Sequence, residues 1–144
     1  MDKETRKRSQ YQFIFPIQTR WADNDMYGHV NNVTYYSYFD TAANALLIQK
    51  AGFDTQLSSI IGLVVESQCK FHQELSYPEI IEVGVAIRKI GNSSVTYDLA
   101  IFKQNERSAS AHGYFVHVFV DRIHRKSTSI PIEMRDALMN YIIL

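Results

Sequence analysis

The densest polar chemistry in the chain lies between Arg20 and Asn32. Asp23 and Asp25 stand two residues apart, Gly28 and His29 follow, and Asn31 and Asn32 close the stretch. An apolar, strand-like run leads into it and a long helical pattern starts where it ends. A carboxylate near a helix start faces backbone N–H groups that the helix itself leaves unpaired, at the positive end of the helix dipole. Negative charge and the stabilisation of an oxyanion can meet there in one small volume. Glycine permits a tight turn, and asparagine is a favoured residue at a helix start. The stretch is therefore the candidate active site, with a turn-forming or helix-capping role as the plain alternative for each aspartate and asparagine.

The order Asp-x-Asp-x-x-Gly-His-Val-Asn-Asn from Asp23 to Asn32, followed by the aromatic-rich Thr34 to Phe39, resembles the 4-hydroxybenzoyl-CoA thioesterase-like family of hot-dog-fold proteins. The likeness continues through Glu66 to Leu75, Tyr77-Pro78, Arg88 to Ser94, Gly113 and Ile130-Pro131, and so covers nearly all of the chain after about Tyr11. It implies hydrolysis of an acyl-CoA thioester to a free acid and CoA. In that reading Asp25 is the catalytic carboxylate, as nucleophile or as general base for water, and Asp23 has at most a supporting role. The backbone N–H of Asn32, seven residues after Asp25, polarises the thioester carbonyl. Gly28 keeps the loop compact and leaves room for the acyl group, and His29 orients the loop in preference to transferring a proton. No metal or redox cofactor is implied, coenzyme A being part of the substrate. Arg88 and Lys89 are expected at the nucleotide phosphates, as cations suited to them, with Arg122, Arg125 and Lys126 as further contacts. The resemblance also implies a homodimer with shared active sites, often paired again as a dimer of dimers. Glu66 and Ser67 would then reach a site across the interface. The alternative from another class is an acyl-CoA binding or sensing module without turnover; the histidine and acid arrangement of a hot-dog hydratase is not seen.

These residues need elements to hold them. Tyr11 to Ala22 alternates, with Phe13, Phe15, Ile17, Thr19 and Trp21 on one side, and reads as a first strand with Pro16 suiting an edge. From about Asn32 to Ala51 the period becomes helical, with Gly52 as its stop. Such a helix would be about 30 Å long. Thr34, Ser37, Thr41 and Asn44 form one small polar stripe, and the rest of its circumference is largely apolar, so other structure should wrap it. Strands are expected at about Leu63 to Gln73, Ile80 to Ile90, Ser93 to Gln104 and Ser108 to Asp121, joined by turns short enough for antiparallel neighbours. In the first of these, alternation puts Glu66, Gln68, Lys70 and His72 on one face and Leu63, Val65, Ser67, Cys69 and Phe71 on the helix side. Pro131 to Tyr141 reads as a short helix. The fold class is α+β: a hot-dog fold, with an antiparallel sheet of about five strands wrapped around a long central helix. A sheet of this kind has exposed edges, which by itself favours pairing of two subunits.

A chain of 144 residues suits one domain, here expected at 11–144 behind a mobile leader at 1–10. Fifteen basic and 15 acidic residues cancel, which removes the broad positive footprint of a nucleic-acid binder. No stretch has a signal peptide's core or the roughly 18 to 20 apolar residues of a membrane span. A single cysteine, Cys69, fits a reducing, cytoplasmic setting and reads as a small hydrophobe. His72, His112, His117 and His124 have no cysteine or carboxylate at ligand spacing, so no metal site is expected.

Overall fold

The structure is a computed structural model and describes residues 5–144. In chain order the elements are β1 (Phe13–Gln18), α1 (Thr34–Lys50), β2 (Ile60–Phe71), β3 (Ile80–Ile90), β4 (Ser94–Lys103), β5 (Ala111–Asp121) and α2 (Ile132–Leu138). Short 3₁₀ turns sit at Arg8–Gln10, Trp21–Asp23 and Met139–Tyr141. The five strands form one antiparallel sheet in the order β1-β3-β4-β5-β2, so β1 and β2 are its edges. Pro16 lies on the edge strand β1, where its missing N–H interrupts no ladder.

Helix α1 lies against one face of this sheet and touches β1, β2, β3 and β4. Period-two alternation sends Val83, Val85, Ile87, Val95, Tyr97, Leu99 and Ile101 to that face. There they enclose Phe39, Leu46 and Leu47 of the helix, all essentially without exposure. Burying each such side chain contributes about 1.5–3 kcal/mol. Ser37 and Thr41 of the predicted polar stripe face outwards, with Asp40 beside them, and so does Ile48. The helix has 17 residues, about 26 Å, so the long central helix is corrected to one of ordinary length. Asn31 to Val33 form a capping turn instead of a first helical turn: the Asn31 carboxamide accepts from the Val33 amide and its carbonyl from the Thr34 amide. At the other end Gly52 takes a φ of +71°, the left-handed conformation that ends helices. Among the described residues no helix is long and apolar enough to cross a membrane.

Two bulges reset the alternation. At Val65 the pairing with β5 skips a residue, so Ser67 and Cys69 stay on the helix side as expected while Leu63 is moved to the other. At Arg88 the pairing with β4 skips likewise, letting Ile87 and Ile90 both pack on the core while Arg88 reaches the outer face. Trp21, predicted to continue the buried side of β1, is 78% exposed, because the chain leaves the sheet after Gln18 and turns.

The outer face carries a smaller apolar cluster of Tyr11, Ala86, Ala100, Phe102 and Ala109. Part of the expected mobile leader lies over it. Thr5 donates to the Ala109 carbonyl, the Ala109 amide to Arg6, and the Arg8 amide to Arg107, so residues 5–10 are docked; the first four lie outside the described residues. Beneath this arm the buried carboxylate of Asp98 accepts from Arg6, Tyr11 and Arg88.

Candidate active site

Asp23 and Asp25 have opposite environments. Asp23 is 2% exposed and accepts hydrogen bonds from the Arg20 amide at 2.9 Å, the Arg20 guanidinium at 3.0 Å and the Tyr38 hydroxyl at 2.7 Å. Burial works against its charge, yet the bonds from Tyr38 and Arg20 outweigh that and hold its carboxyl below the usual carboxylate range. Its carbonyl also accepts from the Asn31 amide at 2.9 Å. Asp23 thus ties both ends of the 24–30 loop to α1.

Asp25 sits inside that loop, half-buried. Its amide donates to the His29 carbonyl at 2.8 Å, its carbonyl accepts from Gly28 at 3.1 Å, and its carboxylate accepts from the Tyr27 amide at 2.9 Å. The turn requires a φ of +85° at Gly28, a conformation that side chains with a Cβ resist. A Cβ there would meet nothing within 4 Å, so backbone conformation, more than space, calls for glycine.

Asp25 opens onto a cleft of about 630 Å³ whose polar lining includes His29, Asn32, His72 and Glu74 and whose apolar lining includes Val30, Tyr35 and Phe71. Asn32 brings a backbone donor. The amides of Asn31, Val33, Thr34 and Tyr35 are all bonded within the chain, whereas that of Asn32 has no acceptor among the described residues. Asp25 and Asn32 therefore line one cavity. His29 pairs with Glu74 at 3.0 Å, with the two side chains 41% and 73% exposed. A pair this wet is worth under about 1 kcal/mol.

The segment after β2, which the family likeness includes but to which no site role was given, supplies a whole wall. The Leu75 carbonyl accepts from the Val30 amide at 2.7 Å, Ser76 donates to Gly28, and the Tyr77 amide donates to Asn24. These long-range bonds bring Phe71, His72 and Glu74 to Asp25. Tyr35 meets Phe71 edge to face at 4.9 Å.

The other site candidates lie elsewhere in the single chain. Glu66 accepts from Tyr114 on the outer face, and Ser67 is exposed in the middle of the β2 edge; neither lines the Asp25 cleft. Arg88 is bound to Asp98 and stacks over Tyr114, while Lys89 is exposed. Arg122 donates to the Ser58 and Thr55 carbonyls. Burial pushes the Cys69 thiol up to about 12, which leaves little thiolate. His117, buried beside Tyr97, is pushed down to about 4 and is a neutral core residue.

Comparison with known proteins bears directly on this arrangement. The profile of the thioesterase-like superfamily matches residues 19–138, which include both the Asp25 loop and the segment facing it. The chain belongs to the thioesterase-like superfamily. Among solved structures similar to it, the PA5185 protein of Pseudomonas aeruginosa PAO1 is 50% identical with a TM-score of 0.94, over 96% of this chain and 97% of that one. The BH1999 gentisyl-coenzyme A thioesterase is 23% identical with a TM-score of 0.78, over 88% and 98% of the two chains. Slr0204, a 1,4-dihydroxy-2-naphthoyl-CoA thioesterase from Synechocystis, is 17% identical with a TM-score of 0.79, over 89% and 96%. The last two share the fold. The α+β architecture with its five-stranded antiparallel sheet is thus that of hot-dog thioesterases.

Proposed function

We propose that this member of the superfamily hydrolyses an acyl-CoA thioester to a free acid and CoA, in the manner of 4-hydroxybenzoyl-CoA thioesterase-like enzymes. The observation that carries the reading is the pairing of the Asp25 carboxylate with the unpaired Asn32 amide in one cleft. Thioesters have weak resonance stabilisation, so one carboxylate and one polarising donor suffice as chemistry. As general base, Asp25 takes a proton from water whose oxygen adds to the acyl carbon. As nucleophile, it forms an acyl-enzyme anhydride that water then opens. In both routes the Asn32 N–H donates to the oxygen that gains charge and the C–S bond breaks; in the general-base route sulfur leaves as the thiol with the proton that Asp25 took from water, and in the nucleophilic route it leaves as a thiolate that takes its proton from solvent. Asp23, Gly28 and His29 hold the loop. Two neighbours of the same fold, named as coenzyme A thioesterases, support this substrate class.

Arg88 and Lys89 are assigned to the nucleotide end. Assembly belongs to the same reading. The outer edge of β2 has no partner strand among the described residues, and Leu63, Val64 and Val65 along it are 38%, 44% and 61% exposed. Pairing with a second copy would cover this edge and carry the partner's Glu66 and Ser67 strand towards the site, as a homodimer or a dimer of dimers.

The test is thiol release from a panel of acyl-CoAs by wild type and Asp25→Asn side by side. Turnover of at least one thioester, lost in the variant, is expected. Saturable acyl-CoA binding without thiol release from any substrate would leave a binding module and overturn the enzymatic reading.

A further inference from the structure

One short stretch of backbone joins the docked N-terminal arm to the wall of the Asp25 cleft. It is the connection from β4 to β5, residues 104–110. The Arg8 amide donates to the Arg107 carbonyl at 2.8 Å, and the Ala109 amide to the Arg6 carbonyl at 2.9 Å. Between them Lys7 pairs with Ser108 as an antiparallel bridge, and its Nζ donates to the Ser108 hydroxyl at 2.9 Å. The Thr5 hydroxyl adds a bond to the Ala109 carbonyl at 3.0 Å. Next comes Ser110, fully buried, whose carbonyl accepts twice: from the His72 amide at 2.8 Å and from the Gln73 amide at 3.0 Å. His72 and Gln73 line the cleft together with Phe71 and Glu74. A chain of bonds thus runs from the arm through Ala109 and Ser110 to the wall that faces Asp25.

The arm is itself held at two points. Arg6 donates to the buried Asp98 carboxylate from Nε at 3.1 Å and from a terminal nitrogen at 2.8 Å. Arg8 pairs with Glu82, donates from Nε to the Glu106 carbonyl at 3.1 Å and stands 5.4 Å over the Phe102 ring. The planar fork of a guanidinium fixes direction as well as distance. Glu82 belongs to β3 and Asp98 and Phe102 to β4, so both anchors fasten the arm to inner strands of the sheet. Along 107–109 the backbone bonds made among the described residues all go to the arm. A segment held by so few partners opens locally when they leave, well before the fold as a whole. The Asp25 loop has separate support, since Asp23 ties it to Tyr38 and Arg20.

We propose that Arg6 and Arg8 are positioning residues for the cleft: by docking the arm on 106–109 they fix Ser110 and, through its carbonyl, the wall segment opposite Asp25. Neither arginine lines the cleft, and both lie outside residues 19–138 that the superfamily profile matches. They act through Ser110. What the wall does for an acyl-CoA rests on the function proposed above; the effect of the arm on the wall does not.

The experiment is backbone amide hydrogen exchange, followed by NMR on the full chain, for wild type, Arg8→Gln, Arg6→Gln/Arg8→Gln and Tyr11→Phe. The His72 and Gln73 amides report on the wall, and those of Leu46 and Leu47 in α1 on the fold as a whole. In the double variant His72 and Gln73 should exchange about tenfold faster or more, with Leu46 and Leu47 within about threefold of wild type. Arg8→Gln leaves every bond to Asp98 in place, so it keeps the test decisive if the double variant does not fold; an increase of about threefold or more is expected there. Tyr11→Phe removes a donor from the same Asp98 carboxylate but none of the bonds to 106–109, and should leave His72 and Gln73 within about twofold. In the hydrolysis assay Arg8→Gln should raise KM with kcat within about threefold, because the Asp25 loop keeps its own anchor, and Arg8→Lys, which keeps a cation beside Glu82, should recover part of the loss. His72 and Gln73 exchange within about twofold of wild type in Arg8→Gln, a rise shared equally by Leu46 and Leu47, or the same rise in Tyr11→Phe overturns the proposal. So does a fall in kcat with KM unchanged. If no acyl-CoA is hydrolysed, the hydrolytic reading fails while the exchange rates still decide the role of the arm.

Discussion

Replacing Asp23 by alanine removes an anion that three donors share, and the cost can be worked donor by donor. Tyr38 is 5% exposed, so its hydroxyl would be left buried without an acceptor, at about 1–3 kcal/mol. The part-buried Arg20 amide loses a 2.9 Å bond, worth about 0.5–1.5 kcal/mol. The guanidinium, on a side chain 73% exposed, returns to water, which caps its share at under about 1 kcal/mol. The sum is about 1.5–5.5 kcal/mol, or a melting temperature lowered by roughly 5–20 °C for a domain of this size. The sign of the pH dependence follows from the lowered carboxyl. The Asp23 contribution is fully present above its unfolded value near 4 and is lost as pH falls through the folded value. The gap between wild type and Asp23→Ala should therefore be widest near neutrality and narrow below about pH 4. Urea unfolding of wild type, Asp23→Ala, Tyr38→Phe and the double variant measures it. The two single losses share one hydrogen bond, so they should fall short of adding by about 1 kcal/mol. Additivity within about 0.3 kcal/mol, or a melting temperature within 2 °C of wild type, would refute the anchoring role.

Asp25→Asn should keep the fold and its melting temperature while thiol release falls by about 100-fold or more; activity within about threefold of wild type would move the chemistry to another carboxylate. Gly28→Ala must hold a Cβ at a φ of +85°, and it should lose about 1 kcal/mol in urea unfolding and lower kcat by displacing Asp25. Asp98→Asn removes a carboxylate that burial would raise but that Arg6, Tyr11 and Arg88 hold below its ordinary range. Its stability deficit should accordingly be present above about pH 4 and shrink in more acid solution. Val65→Lys, on the open β2 edge, should shift light scattering towards a 16.6 kDa particle, with activity falling in step; a fully active monomer would remove the shared site.

The parts of this protein that were legible in its sequence are those that neighbouring residues decide. Strand β3 runs over Ile80–Ile90 as the alternation requires, because period-two burial and the Gly91-Asn92 turn are both local signals. The helix stop at Gly52 and the compact turn at Gly28 could be read for the same reason: each depends on a φ that glycine reaches at little cost. The position of Asp25 ahead of α1 followed from spacing alone.

What the tertiary structure decided are the matters that depend on distant partners. Asp23 and Asp25 look alike in the sequence, and Tyr38, on a helix packed under the loop, makes one of them a buried anchor. One skipped residue at Val65 and another at Arg88 reassign whole faces, and a bulge costs so little that composition does not announce it. The wall opposite Asp25 comes from residues more than 40 positions away, joined by the bond from Ser76 to Gly28. The polar arm at the N-terminus reads as solvated because its partner, the carboxylate of Asp98, sits 92 residues from Arg6. A charge in the middle of an apolar strand has to be answered from somewhere, since leaving it unpaired would cost several kcal/mol. Which residues answer it is set by the order of the strands and the path of the chain across them.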